Sequence, residues 1–209
     1  GTDAIEIALR SLGITLGDEV ITVSHTANAT VSAIECSGAK PVLVDIDPEF
    51  FTMDITALEK AINSKTRAVI LVHLYGQSGD LNSILDICKE KNIYLIEDVA
   101  QAHGAIYQGK RLGSFGDISC FSCYPTKNLG AIGDAGLIST NNKQLYDNCK
   151  RIREYGWELR NSIVKGRNSR LDEIQAAILR VKLRYLDQDN HKRNIIAAIY
   201  DEIACKGFE

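Results

Sequence analysis

Apolar residues in this chain come in short runs, and between the runs lie longer stretches with helical spacing. Arg67-Ala68-Val69-Ile70-Leu71-Val72 is almost continuously apolar, the pattern of a strand covered on both faces. Residues 19–23 alternate apolar and polar and predict another strand. Further strands are predicted over 41–48, ending in a turn, over 93–96 and over 118–122, and Leu137-Ile138-Ser139-Thr140 closes the set. Helices are predicted over 2–10, from 25 through 36, and over 54–62, 81–91, 142–155, 171–185 and 189–204. Four glycines between 104 and 116 mark a hairpin-like excursion, and 156–166 reads as a loop holding the only tryptophan, Trp157. About six strands alternating with helices predict an α/β fold, a mostly parallel sheet in three layers.

Composition narrows the function classes. The 209 residues suffice for one α/β domain with a sizeable core. Net charge is −3 and no basic stripe is present, which argues against a nucleic-acid partner. No run approaches the roughly 18 apolar residues that a membrane helix needs. The opening Gly-Thr-Asp-Ala lacks the basic start and apolar stretch of a signal peptide. Six cysteines are scattered, and Cys120-x-x-Cys123 has no second pair to complete a zinc site. No metal is expected, and free thiols in a reducing cytoplasm are.

The residues that suggest chemistry lie near strand ends. Glu97-Asp98 closes one apolar run, and Ser122-Cys123-Tyr124-Pro125-Thr126-Lys127-Asn128-Leu129-Gly130 follows another. Lys127 is either a surface charge or a reactive amine. Asp98 is either a helix cap, a partner for a ligand, or both. A carboxylate at one strand end and a lysine at a later one suit pyridoxal 5'-phosphate: the amine condenses with the cofactor aldehyde and the carboxylate keeps the pyridine nitrogen protonated. Thr2 is a plausible N-cap, and a helix start with a hydroxyl beside it also suits a phosphate. Ser122 reads equally as a strand-end hydroxyl bonded to backbone. Asp45 and Asp47 read as turn formers before Pro48. His73 reads as structural, and His25 as either structural or a ligand contact.

Three separated motifs in order resemble the DegT/DnrJ/EryC1/StrS aminotransferases. They are Ile96-Glu97-Asp98-Val99-Ala100-Gln101-Ala102-His103-Gly104, the Ser122–Gly130 segment, and Asn168-Ser169-Arg170-Leu171-Asp172-Glu173-Ile174-Gln175-Ala176-Ala177. The resemblance runs from Gly1 to about residue 200. It implies the type I aminotransferase fold and an enzyme that moves an amino group from an amino acid, glutamate in first place, to a nucleotide-linked keto sugar. Lys127 would hold the cofactor and then move the proton, and Asp98 would pair with the ring nitrogen. By the same resemblance Gln101 bonds the ring hydroxyl, and Thr2, Asp3 and Ser122 contact the phosphate. Asn168 reaches the phosphate of a neighbouring subunit, which implies a homodimer with shared sites. At Ala27 the chain departs from the family, whose usual aromatic ring there stacks on the cofactor. Residues 1–187 are expected to form the cofactor-binding large domain, without its N-terminal segment, and 188–209 a helix leading to an absent C-terminal domain. Two other functions compete. Sugar dehydratases of this kind carry histidine in place of the lysine, and a regulatory homologue would use the fold for binding alone.

Overall fold

The computed structural model describes residues 1–205. Its strands, in chain order, are β1 (Glu19–Val23), β2 (Lys40–Val44), β3 (Thr66–Val72), β4 (Tyr94–Asp98), β5 (Ile106–Tyr107), β6 (Lys110–Arg111), β7 (Ile118–Ser122), β8 (Gly136–Ser139), β9 (Trp157–Glu158) and β10 (Asn161–Ser162). The helices are α1 (Thr2–Ser11), α2 (Asn28–Ser37), α3 (Ile55–Ala61), α4 (Leu81–Lys91), α5 (Lys143–Ile152), α6 (Glu173–Leu183) and α7 (Leu186–Cys205).

Six strands form one sheet in the order β2-β1-β3-β4-β7-β8. All its pairings are parallel except β7 with β8, which is antiparallel and lies at the edge. Every residue of β1 is buried, as is all of β3 except Arg67, so both faces of the sheet centre are covered. Helix α1 packs with α2 and α5, and α3 packs with α4. The edge strand β2 is only partly buried, and it carries a proline and a lysine, residues that discourage pairing with another chain. The mostly parallel three-layer architecture matches the sequence reading.

Several boundaries differ from the sequence-based ones. Thr2 is not the N-cap of α1; Gly1 is, with no side-chain capping bond. Helix α2 starts at Asn28 rather than near His25, because His25 and Thr26 are engaged elsewhere: His25 with the Tyr75 hydroxyl and Thr26 with Thr30. Helix α5 ends at Ile152, short of Tyr155. Its last carbonyls turn to another segment: Arg167 N–H donates to Ile152 at 2.8 Å and Ser169 N–H to Arg153 at 2.9 Å. The 156–166 loop contains the β9–β10 hairpin, whose turn residues Leu159 and Arg160 both have positive φ. Neither is the Asn or Gly that usually signals such a turn. Helix α7 begins at Leu186, earlier than predicted; residues 206–209 of the predicted C-terminal segment lie outside the described residues.

Candidate active site

Open parallel sheets bind ligands beyond the carboxyl ends of their strands. Here the ends of β1, β3, β4 and β7 converge. Asp98 ends β4 and is 6% exposed. Its Oδ2 accepts from Thr30 Oγ1 at 3.1 Å, at the start of α2 after β1, and its Oδ1 accepts from the Ala100 N–H at 3.1 Å. Its backbone carbonyl accepts from the His73 N–H, just past β3, at 3.0 Å. No helix follows Asp98, so the capping alternative becomes a local turn closed by the Ala100 bond.

Glu97, the preceding residue, points to the other face, as successive strand residues must. It is fully buried and works as an anchor. Its two oxygens accept the N–H groups of Gly113, Phe115 and Gly116, the Ser119 hydroxyl, and a 3.0 Å contact with His73 Nε2. One carboxylate of the pair therefore pins the glycine-rich excursion to the sheet, and the other faces the site. Burial alone would raise the Glu97 carboxyl; the His73 bond and the backbone donors outweigh it and hold Glu97 below the ordinary glutamate range. Asp98 moves the opposite way. Burial raises it, and the bonds from Ala100 and Thr30 only partly offset that.

Lys127 lies in the loop after β7, half-buried, with Nζ donating to Gln101 Oε1 at 3.1 Å. Gln101 is exposed and belongs to the turn after β4, so this bond spans the two strand ends. The neighbouring His103 is 4% exposed. Burial, and secondarily the Lys127 charge, lower its ring to about 4, so it is neutral near pH 7. Ser122 ends β7 beside the start of α1. A Cβ on Gly1 would come within 2.8 Å of the Ser122 Cβ, so glycine permits this approach. The hydroxyl of Ser122 thus lies beside the start of α1, where Thr2 sits and the first-turn N–H groups have no intrahelical acceptor, the donor chemistry that suits an anion.

Other predicted residues stand apart. The Asp3 carboxylate accepts from the Ser169 hydroxyl and forms a 3.2 Å ion pair with Arg167. Arg167 also pairs with buried Glu6, so α1 is tied to the segment before α6. Asn168 is exposed and accepts from Arg170 Nε at 3.2 Å; among the described residues it bonds none of the other predicted site residues. Ala27 is exposed at the N-cap of α2. Two residues before it in the chain, His25 has its Nε2 3.1 Å from the hydroxyl of Tyr75, a residue that is 63% exposed and has φ +58°. Thr30, Glu97 as an anchor, and Tyr75 escaped sequence reasoning. Their roles come from contacts across 24 to 68 positions of sequence, which no local pattern announces.

A buried carboxyl that accepts only from two neutral donors would be stabilised by a cationic N–H. The start of α1 and the Lys127 loop both adjoin the end of β7. These features fit pyridoxal phosphate: Asp98 for the ring nitrogen, Lys127 for the aldehyde carbon, Ser122 and the start of α1 for the phosphate.

Fold and site together define an aminotransferase-like α/β protein. The chain belongs to the DegT/DnrJ/EryC1/StrS aminotransferase family, whose profile it matches over residues 1–204. It is 48% identical over 204 residues to a pleiotropic regulatory protein of Geobacillus stearothermophilus, covering 97% of this chain and 55% of that one. It is 52% identical over 203 residues to dTDP-3-amino-3,6-dideoxy-alpha-D-galactopyranose transaminase of Aneurinibacillus thermoaerophilus, covering 97% and 56%. The structure of NtdA from Bacillus subtilis with bound cofactor PMP superposes with a TM-score of 0.90 at 37% identity, covering 99% of this chain and 48% of that one. The chain thus spans about half the length of these relatives.

Proposed function

We propose that the protein containing this chain is a pyridoxal-phosphate-dependent aminotransferase that moves an amino group from an amino acid to a nucleotide-linked keto sugar. The observation that carries this reading is the placement of Asp98 and Lys127 on adjoining strand ends, tied through the Lys127–Gln101 bond. Relatives named as nucleotide-sugar transaminases support the substrate class.

When bound, the cofactor supplies an electron sink for a substrate carbanion. The chain's residues do the rest. Lys127 Nζ would hold the cofactor, and its amine would move the proton at the substrate carbon. Asp98 keeps the ring nitrogen protonated, and Thr30 and the Ala100 N–H fix the orientation of its carboxylate. Ser122 and the backbone at the start of α1 bind the phosphate. Gln101, whose Oε1 accepts from Lys127 Nζ here, would bond the ring hydroxyl. At Ala27 no ring is available to stack, and His25 or Tyr75 is the nearby candidate to cover the cofactor.

The same reading places the cofactor-binding domain at 1–187, with 188–209 running towards a further domain. Ile195, Ile199 and Tyr200 of α7 are 50%, 53% and 70% exposed, as surfaces that another domain or subunit covers would be. It also includes a homodimer in which Asn168 serves the neighbour's site, and a cytoplasmic setting, compatible with six unpaired cysteines. No helix of the described residues is long and apolar enough to cross a membrane.

A dehydratase is disfavoured because Lys127 is a lysine. A regulatory role has behind it the names of two relatives, a pleiotropic regulatory protein and a sensory transduction protein. Amino transfer from glutamate, assayed on the full-length protein with a panel of nucleotide-linked keto sugars, separates transamination from the regulatory role. The Asp98→Asn variant should retain the fold and lose at least about 10²-fold in rate, the scale of removing one preorganised electrostatic partner. A wild-type protein inert towards every donor and acceptor would favour the regulatory reading.

A further inference from the structure

The loop that carries Lys127 is fastened from behind by helices far along the chain. Gln175 of α6 accepts from the Ile132 N–H at 2.9 Å, and Lys182 donates to the Gly130 carbonyl at 2.7 Å. Leu179 and Leu186 pack with Cys123, Leu129 and Ala131 in a second apolar cluster beneath the loop. One contact differs in kind. The Asn190 carboxamide, half-buried on α7, is used at both ends. Its Nδ2 donates to the His103 carbonyl at 2.7 Å, in the turn after β4, and its Oδ1 accepts from Asn128 Nδ2 at 2.9 Å, next to Lys127.

A single amide therefore spans the two walls of the site, the segment after Asp98 and the loop of Lys127. The fold is arranged to let it in. Gly104 has φ +82°, and a Cβ there would come within 2.8 Å of Asn190 Nδ2. One turn earlier on α7, Asp187 makes a 2.8 Å ion pair with Arg111, whose other nitrogen donates to the Gly104 carbonyl at 3.0 Å. That pair is exposed and worth little by itself. It nevertheless holds α7 to the same turn, at the register that places Asn190 between the walls.

We propose that Asn190 is a positioning residue, bridging the His103 carbonyl to Asn128 and thereby fixing the Lys127 loop opposite Asp98. The cofactor-related part of this role rests on the proposed function of the site; the bridge itself does not. Asn190 donates to one wall and accepts from the other. Asparagine can do both, whereas aspartate at this place would set a carboxylate against the His103 carbonyl.

The test is a double-mutant cycle on the full-length protein with Asn190→Ala, Asn128→Ala and the pair, read first by hydrogen exchange without cofactor. Two loop amides are internal reporters: Lys127 N–H bonds the Tyr124 carbonyl and Ala131 N–H bonds the Cys123 carbonyl. Each single variant should speed exchange in 127–131 by about fivefold, the worth of one net hydrogen bond, with β3 and β4 unchanged. The double variant should be no faster than Asn190→Ala alone, because both act through one bridge. Asn128 is exposed, so Asn128→Ala reports on the bridge even if Asn190→Ala fails to fold. Unchanged loop exchange, or effects that multiply, would overturn the bridge. A second readout is the dissociation constant of pyridoxal phosphate, with the fraction borohydride fixes on Lys127. A several-fold weakening in Asn190→Ala is expected. Equal binding and attachment in variant and wild type would overturn the positioning role. A wild type that takes no cofactor would count against the functional reading instead, and the exchange data would then decide the bridge alone.

Discussion

Glu97 and Asp98 are neighbours in sequence with opposite tasks, and the difference shows in their titration. Glu97 is held below its unfolded value of about 4.5, so the stability it contributes is present above that value and is lost as pH falls through the lower folded one. Glu97→Gln should lower stability at pH 7 by about 1–3 kcal/mol, since it sets an amide N–H₂ against buried backbone donors that the carboxylate now satisfies. It should also flatten the acid limb of stability below pH 4.5, and urea unfolding across pH measures both effects. A variant as stable as wild type would mean the excursion is held some other way. The cysteines give a second prediction at this scale. Burial raises Cys88 to about 12 and also raises Cys120, Cys123 and Cys149, whereas Cys36 and Cys205 are exposed. Iodoacetamide on the native protein, followed by peptide mapping, should label Cys36 and Cys205 first; early labelling of Cys120 would contradict the burial.

At the scale of elements, the strands were the most legible part. The continuous apolar run 67–72 announced a doubly covered strand, and β3 is one. Helix ends were less legible because tertiary bonds set them: α5 stops where the 167–169 segment takes its carbonyls. Asp98 and Lys127 were readable as a pair through family resemblance. Thr30 was not, because its bond to Asp98 crosses 68 positions. Asp47 was readable as a turn former and is one, accepting from Glu49 and Phe50 N–H groups at 2.8 and 2.9 Å. The excursion between β4 and β7 depends on one glycine in particular. Gly113 has φ +91°, and a Cβ there would meet Phe121 Cζ at 2.6 Å. Gly113→Ala should therefore cost about 1–3 kcal/mol and loosen the loop around Glu97, measurable as a lower thermal midpoint and faster exchange at 113–116.

Across the whole molecule, four strand ends contribute to one site: Thr30 after β1, His73 after β3, Asp98 and Gln101 at β4, and Ser122 and Lys127 at β7. The sheet thus makes the geometry of the site a property of the fold, and α6 and α7 extend that control by fastening the Lys127 loop. The proposed function requires that this arrangement hold a cofactor on Lys127. The direct measurement incubates the full-length protein with pyridoxal phosphate, reduces it with borohydride and maps the labelled peptide. A pyridoxyl group is expected on Lys127, absent from the Lys127→Ala variant. Label spread over surface lysines such as Lys40 and Lys143, or none at all with the fold intact, would contradict it.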